Sequence, residues 1–287
     1  MTTLAQRQHP STTQTPARRP TGRAEVGELS FGGVLRGEWV KLLSLRSTWW
    51  NLAITVTVMA LIALAVASTV DDFVAYAAEA GLEPHGPELL MSGFQFGMVS
   101  IAVLGALLIT GEFSTGMARS TFAAVPTRLP VLWAKAVALV VVTAVTSVLS
   151  LVVATLVASP WLSEHDLLPQ LDQAHTWWAF GGMTYFFVAV ALVALGLGTV
   201  VRHTAGSITA VLGLLLLVPG VLQFVTIDWV QDLVSVTPLP AAVAFVGTSG
   251  LQGTNEVLSP WQGVAVVGAY AVVALVAGAM SLRRRDV

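Results

Sequence analysis

The chain has 287 residues, of which 55% are hydrophobic and 10% charged, with no cysteine, a formal net charge of −2 and a mean hydropathy of +0.78. So little polar surface excludes a water-soluble domain of this length, and the lipid bilayer becomes the expected solvent. The missing cysteines exclude a disulfide framework and a thiolate metal site, and no nucleic-acid partner is expected.

Residues 1–27, centred on STTQTPARRPTGRAE, are too poor in apolar side chains to offset the entropy of ordering, and predict a disordered cytoplasmic tail. Over residues 28–48 the pattern changes. Phe31, Leu35, Trp39 and Leu42 or Leu43 recur at helical spacing while Arg36, Lys41 and Ser44 fall off that stripe, which predicts an amphipathic helix ahead of the first span. Such a helix either lies in the membrane interface, with Trp39 at the headgroup level, or packs on protein.

Six windows then meet the roughly 20 apolar residues that an α-helix needs to cross about 30 Å of hydrocarbon. They are residues 49–70, 91–111, 134–158, 178–201, 206–226 and 261–282, and none has an acidic residue in its interior. The fold class expected is therefore an all-α integral membrane protein, six helices over 49–282, with a basic tail at 283–287. A β-barrel would alternate apolar and polar residues over short segments. The first span starts too far into the chain to read as a cleaved signal peptide, so it is expected to be retained. Gly93 and Gly97, Gly196 and Gly198, and Gly263, Gly268 and Gly278 predict close helix packing, and Pro219 predicts a kink in the fifth span.

The connections differ in charge. All fourteen Lys and Arg residues lie before the first span (Arg7, Arg18, Arg19, Arg23, Arg36, Lys41, Arg46), around the second gap (Arg119, Arg128, Lys135), at Arg202, or after the last span (Arg283, Arg284, Arg285). The other three gaps hold no basic residue and eleven of the sixteen carboxylates. Positive charge close to spans stays in the cytoplasm, so both termini are expected there, in the plasma membrane, with the acidic loops outside. Eight of the nine Trp residues fall at or near span ends, as interfacial indoles should.

Of the cytoplasmic gaps, 112–130 is the most polar, and a short helix is expected near 114–124, ended by Pro126. The gap 202–205 is a tight turn. The external gap 227–260 contains TPLPAAVAFVGTSG, apolar but too short to cross, which reads as a re-entrant helix over 237–250 or as an ordered external loop.

Several chemistries lack their residues. Lys41 follows Val40 and Lys135 follows Ala134, so no phosphate-binding Gly-Lys-Ser/Thr is present. His9, His85, His165, His175 and His203 include no i, i+4 pair, and each is expected to be a solvated loop residue. No carboxylate partnered by His or Lys is expected among the spans, which argues against an intramembrane enzyme or an ion-coupled carrier.

Two segments carry a resemblance. LRGEWVKLLSLRSTWW (residues 35–50) and TGEFSTGMARSTFAAVPTRLPVLWAKA (residues 110–136) closely resemble the membrane-spanning permease subunits of ABC transporters of the type-2 exporter class, especially actinobacterial ones. The shared pattern is Glu-Trp-x-Lys, then Arg-Ser-Thr before the first span, and later Gly-Glu-aromatic-x-x-Gly, Arg-Ser-Thr, Pro-x-Arg and Ala-Lys. Met117 and Ala118 depart from the usual Thr and Ile, and Pro130 is additional. The resemblance implies a permease whose connecting helix includes Glu38, Trp39, Lys41 and Arg46. It implies, too, a coupling loop marked by Glu112, Gly116, Arg119, Pro126 and Arg128. The loop would seat on a separate ATP-binding subunit, which would hold ATP and Mg, and a second permease copy or paralogue would complete the unit. The chain itself would then be no enzyme and hold no cofactor or metal. The rival reading is a non-transporting membrane scaffold or accessory subunit.

Overall fold

The computed structural model describes residues 30–80, 85–118, 121, 128–247 and 258–284. In chain order its helices are α1 (Phe31–Ser44), α2 (Arg46–Ala67), α3 (Val70–Ala80), α4 (Gly86–Leu90), α5 (Phe94–Ser114), α6 (Leu129–Ser163) and α7 (Ala174–Val201), followed by α8 (Thr204–Leu222), α9 (Asp228–Ser235), α10 (Pro238–Val246) and α11 (Pro260–Arg284). Among the described residues there is no strand. Six helices, α2, α5, α6, α7, α8 and α11, are long and apolar enough to cross a membrane, and they coincide with the six predicted windows.

The windows differ from the helices chiefly in length. α6 has 35 residues, about 52 Å at 1.5 Å per residue, whereas hydropathy marks only its middle. Pro130 falls in the first turn, where a missing N–H costs nothing. Pro160 falls in the last, and there Ser159 Oγ donates to the Leu156 carbonyl at 3.0 Å, replacing the backbone bond that proline cannot make. In α8 the residues just before Pro219 form a π turn, Gly213–Leu217, and the Val218 N–H reaches back to the Gly213 carbonyl. The sequence predicted a kink at this proline. The widened turn is how the backbone accommodates it.

At the centre of the bundle, α7 packs against α5, α6, α10 and α11; α2 closes against α5 and α6, and α8 lies on α5 and α7. In lipid there is little hydrophobic drive between helices, so association depends on close backbone approach. A Cβ at Gly196 of α7 would lie 2.4 Å from the Ala274 carbonyl oxygen of α11, and one at Gly97 of α5 would lie 2.8 Å from Phe187 Cζ. The predicted small-residue contacts are thus where the spans meet. The larger core side chains, Phe94, Phe186, Phe187 and Met98, fill the space between α5 and α7.

α1 packs on α6, burying Glu38 and Leu42 and half-burying Val34, Leu35, Trp39 and Leu43, while Phe31 is exposed. The reading in which this segment packs on protein is thus observed for its Glu38 and Leu42 face. At the far end of the bundle, α10 buries six consecutive residues, Ala241–Val246, against α7 and α11 and meets α9 at a 67° bend. The apolar stretch of the long gap is therefore a helix buried against protein; residues 248–250 of the predicted 237–250 segment lie outside the described residues. Of the short helix expected near 114–124, Met117, Ala118 and Thr121 are helical, and residues 119, 120 and 122–124 lie outside the described residues. Trp49, Trp50 and Trp133 are exposed at one end of the bundle, and Trp161, Trp177, Trp178, Trp229 and Trp261 at the other.

Candidate functional site

Where α1 crosses the end of α5 and the start of α6, four charged side chains meet. Glu38 and Lys41 stand one turn apart on α1, so both point the same way, and Lys41 Nζ donates to Glu38 Oε1 at 2.9 Å. Glu112, two residues before the end of α5, accepts from Lys41 at 3.1 Å and from Lys135 of α6 at 2.8 Å through the same oxygen, Oε1. Lys135 also donates to Glu38 Oε2, which completes a ring of two carboxylates and two ammonium groups. From the segment after α5, Thr121 Oγ1 accepts from Lys41 at 3.3 Å.

Burial makes this ring costly to break. Lys135 is 1% exposed, Glu38 3% and Glu112 6%. Removing such ions from water costs several kcal/mol each and is offset only when each charge keeps its partner. Formal charge balances, two against two. Lys41 alone reaches water: burial pulls its ammonium down, but the hydrogen bond and charge of Glu38 together with Glu112 outweigh that and hold its pKa above the usual 10.5. Its contribution is complete below 10.5 and is lost only as pH rises through the raised value, so Lys41 stays charged at physiological pH. Glu112 Oε2 is buried and has no hydrogen-bond partner among the described residues.

Two arginines finish the same end of the bundle. Arg128 Nη1 donates to the Leu282 carbonyl at 3.2 Å and Arg202 Nη2 to the Ser281 carbonyl at 3.3 Å, so both cations cap the last turn of α11, where the helix dipole is negative. Arg202, left-handed at φ 59°, turns the chain from α7 into α8 and lies 5.2 Å from the Phe113 ring centroid.

The sequence-predicted residues thus divide. Glu38, Lys41 and Glu112 are drawn into one cluster; Arg128 sits nearby on α11; Trp39 is half-buried on α1; Arg46 opens α2 and is exposed; Gly116, with φ 73°, turns the chain after α5 in open space. Arg119 and Pro126 lie outside the described residues.

Two expectations are corrected. Lys135 and Glu112 belong to spans α6 and α5 and form a direct ion pair, against the expectation that no carboxylate would find a basic partner among the spans. The charge distribution marks Lys135 only as a topology determinant. The available signal was one lysine inside an apolar window and one glutamate at the end of the preceding window, on the same predicted side. Of the histidines, His175 is corrected from a loop residue to the second residue of α7, though it is exposed; His85 and His203 are exposed outside helices as expected, the His203 ring accepting from the Gly206 N–H, and His165 lies in a turn, 2.7 Å from Asp71. His9 lies outside the described residues.

The cluster joins three segments through charge-assisted hydrogen bonds, so a displacement of α1 must be felt at the ends of α5 and α6. No protein-family model matches the chain, and no curated protein matches it.

Proposed function

We propose that the chain is the membrane-spanning permease subunit of an ATP-driven ABC transporter, of the type-2 exporter kind, with both termini cytoplasmic. One observation carries the reading. The two segments whose residues resemble that family, 35–50 and 110–136, are far apart in sequence, yet Glu38 and Lys41 of the first bond directly to Glu112, Thr121 and Lys135 of the second. A permease needs a connecting helix tied to the loop on which the ATPase acts, because force delivered at that loop reaches the spans only through a rigid joint. The ring supplies one. In this reading ATP and Mg belong to a separate subunit, the loop opened by Glu112 is its seat, and a second permease copy or paralogue completes the pathway.

A photo-activatable cross-linker tests the seat. Placed at exposed Thr115, beside the cluster, it should capture a polypeptide that also takes up a radiolabelled ATP analogue; placed at exposed Asp172, at the opposite end, it should not. Capture only of proteins that ignore the nucleotide would favour the scaffold reading.

A further inference from the structure

At the end of the bundle that holds the ion ring, every exposed charged side chain among the described residues is positive. Glu38 and Glu112, the carboxylates described there, are enclosed in the ring, whereas Arg36, Arg46, Arg283 and Arg284 stand exposed. Arg46 is the first residue of α2 and makes no hydrogen bond or ion pair with another described residue. Trp50, one turn further on, is 69% exposed, and its indole N–H has no acceptor among the described residues. The neighbouring indole differs: Trp49 donates to the Leu43 carbonyl at 2.8 Å, which fixes it against the last turn of α1.

Arg46 and Trp50 head a longer surface. Arg46, Trp50, Ile54, Thr57 and Leu61 recur at steps of three or four residues and are all exposed, while Thr55, Met59 and Ala63 on the other side are buried, where α2 meets α5 and α6. One face of α2 thus points away from the bundle over most of the span. With 22 residues α2 is about 33 Å long, close to the roughly 30 Å of hydrocarbon in a bilayer, so Arg46 and Trp50 in its first turns stand at headgroup level.

We propose that this face of α2 seats an anionic phospholipid of the leaflet at that end, with the phosphate on Arg46 and the Trp50 N–H and an acyl chain along Ile54 and Leu61. A guanidinium offers the planar pair of donors that matches phosphate oxygens. An indole prefers the headgroup level, where its ring stays in apolar surroundings and its N–H meets a polar acceptor. The uncompensated arginines favour a headgroup of net negative charge over a zwitterion, whose own cation cancels the gain. An acidic soluble protein would satisfy the charge but leave Ile54 and Leu61, deeper in the span, without a partner. A lipid covers both. The surface rests on the span and its exposed face, and stands whether or not the chain is a permease.

The test reconstitutes the full chain in phosphatidylcholine vesicles that contain a small share of phosphatidylglycerol. In paired samples one lipid or the other carries bromine near the head of its acyl chains, which quenches the tryptophans it touches. The Trp50 signal is the difference between each protein and the same protein carrying Trp50→Phe. Phosphatidylglycerol should be enriched at Trp50 about fivefold over its share of the vesicle, the gain that one arginine at a membrane surface supplies. Arg46→Gln removes an exposed side chain, so the fold survives, and it should abolish the enrichment. Arg283→Gln removes an exposed charge at the same end but on α11, and it should leave the enrichment unchanged. Quenching by the two lipids in proportion to their shares in the wild type would overturn the assignment and leave the cationic end to an acidic protein partner. Full enrichment in Arg46→Gln, or an equal loss in both variants, would overturn it too, the latter because it marks a diffuse attraction and not a seat at Arg46.

Discussion

Lys135 is the side chain on which the ring depends, because it is almost fully enclosed and bonds both carboxylates. Lys135→Met leaves Glu38 and Glu112 with only the half-exposed Lys41 between them. Breaking a buried pair in this way typically costs about 3–5 kcal/mol. The melting temperature of the purified protein, followed by its own tryptophans, should fall sharply. Adding Glu112→Gln leaves the Glu38–Lys41 pair balanced and should recover most of the loss; no recovery would mean that Lys135 contributes packing, not charge. Glu38, Lys41 and Glu112 were legible as important from the two motif segments. That they form one buried ring was not, because an apolar window says nothing about which helix end meets which. The arginines show the same limit: a basic count placed Arg128 and Arg202 at one end, but only the tertiary arrangement aims both at the α11 carbonyls.

Among the elements, the spans were legible because twenty apolar residues in a row have few other uses. Their partners were legible only through glycine. Gly196 lies where α7 meets α11, and a methyl group there would meet backbone 2.4 Å away, which no rotamer change relieves. Gly196→Ala should therefore cost about 1–3 kcal/mol by overpacking, seen as earlier thermal aggregation in detergent. Gly181, on the same helix, has open space around it, with nothing within 4 Å of where a methyl group would stand, and Gly181→Ala should not lower stability. If the two variants melt alike, the α7–α11 contact does not hold the bundle. The excess length of α6 was hidden by its prolines: Pro130 sits in the first turn, where a helix tolerates it, and Pro160 in the last, where Ser159 Oγ bonds the Leu156 carbonyl it frees.

On the scale of the whole molecule, the charges separate along the bundle axis: the ion ring and the arginine caps at one end, Asp71, Glu88, Asp172 and Asp228 at the other. Orientation follows from that asymmetry as a proposal. With no cysteine in the chain, single ones can be introduced without background. Asp172→Cys and Ser259→Cys should react with an impermeant maleimide on intact cells, and Thr115→Cys and Ala205→Cys only after lysis; the opposite pattern would invert the topology.

The permease reading is tested most directly by ATP hydrolysis. The chain is purified from its native membranes in mild detergent and assayed before and after high salt strips peripheral proteins. Hydrolysis should be present before stripping, leave with a nucleotide-binding polypeptide in the stripped fraction, and return when the two are recombined, because the chain has no phosphate-binding loop of its own. Hydrolysis that stays with the stripped chain, or an unstripped preparation with neither hydrolysis nor a nucleotide-binding partner, would contradict it.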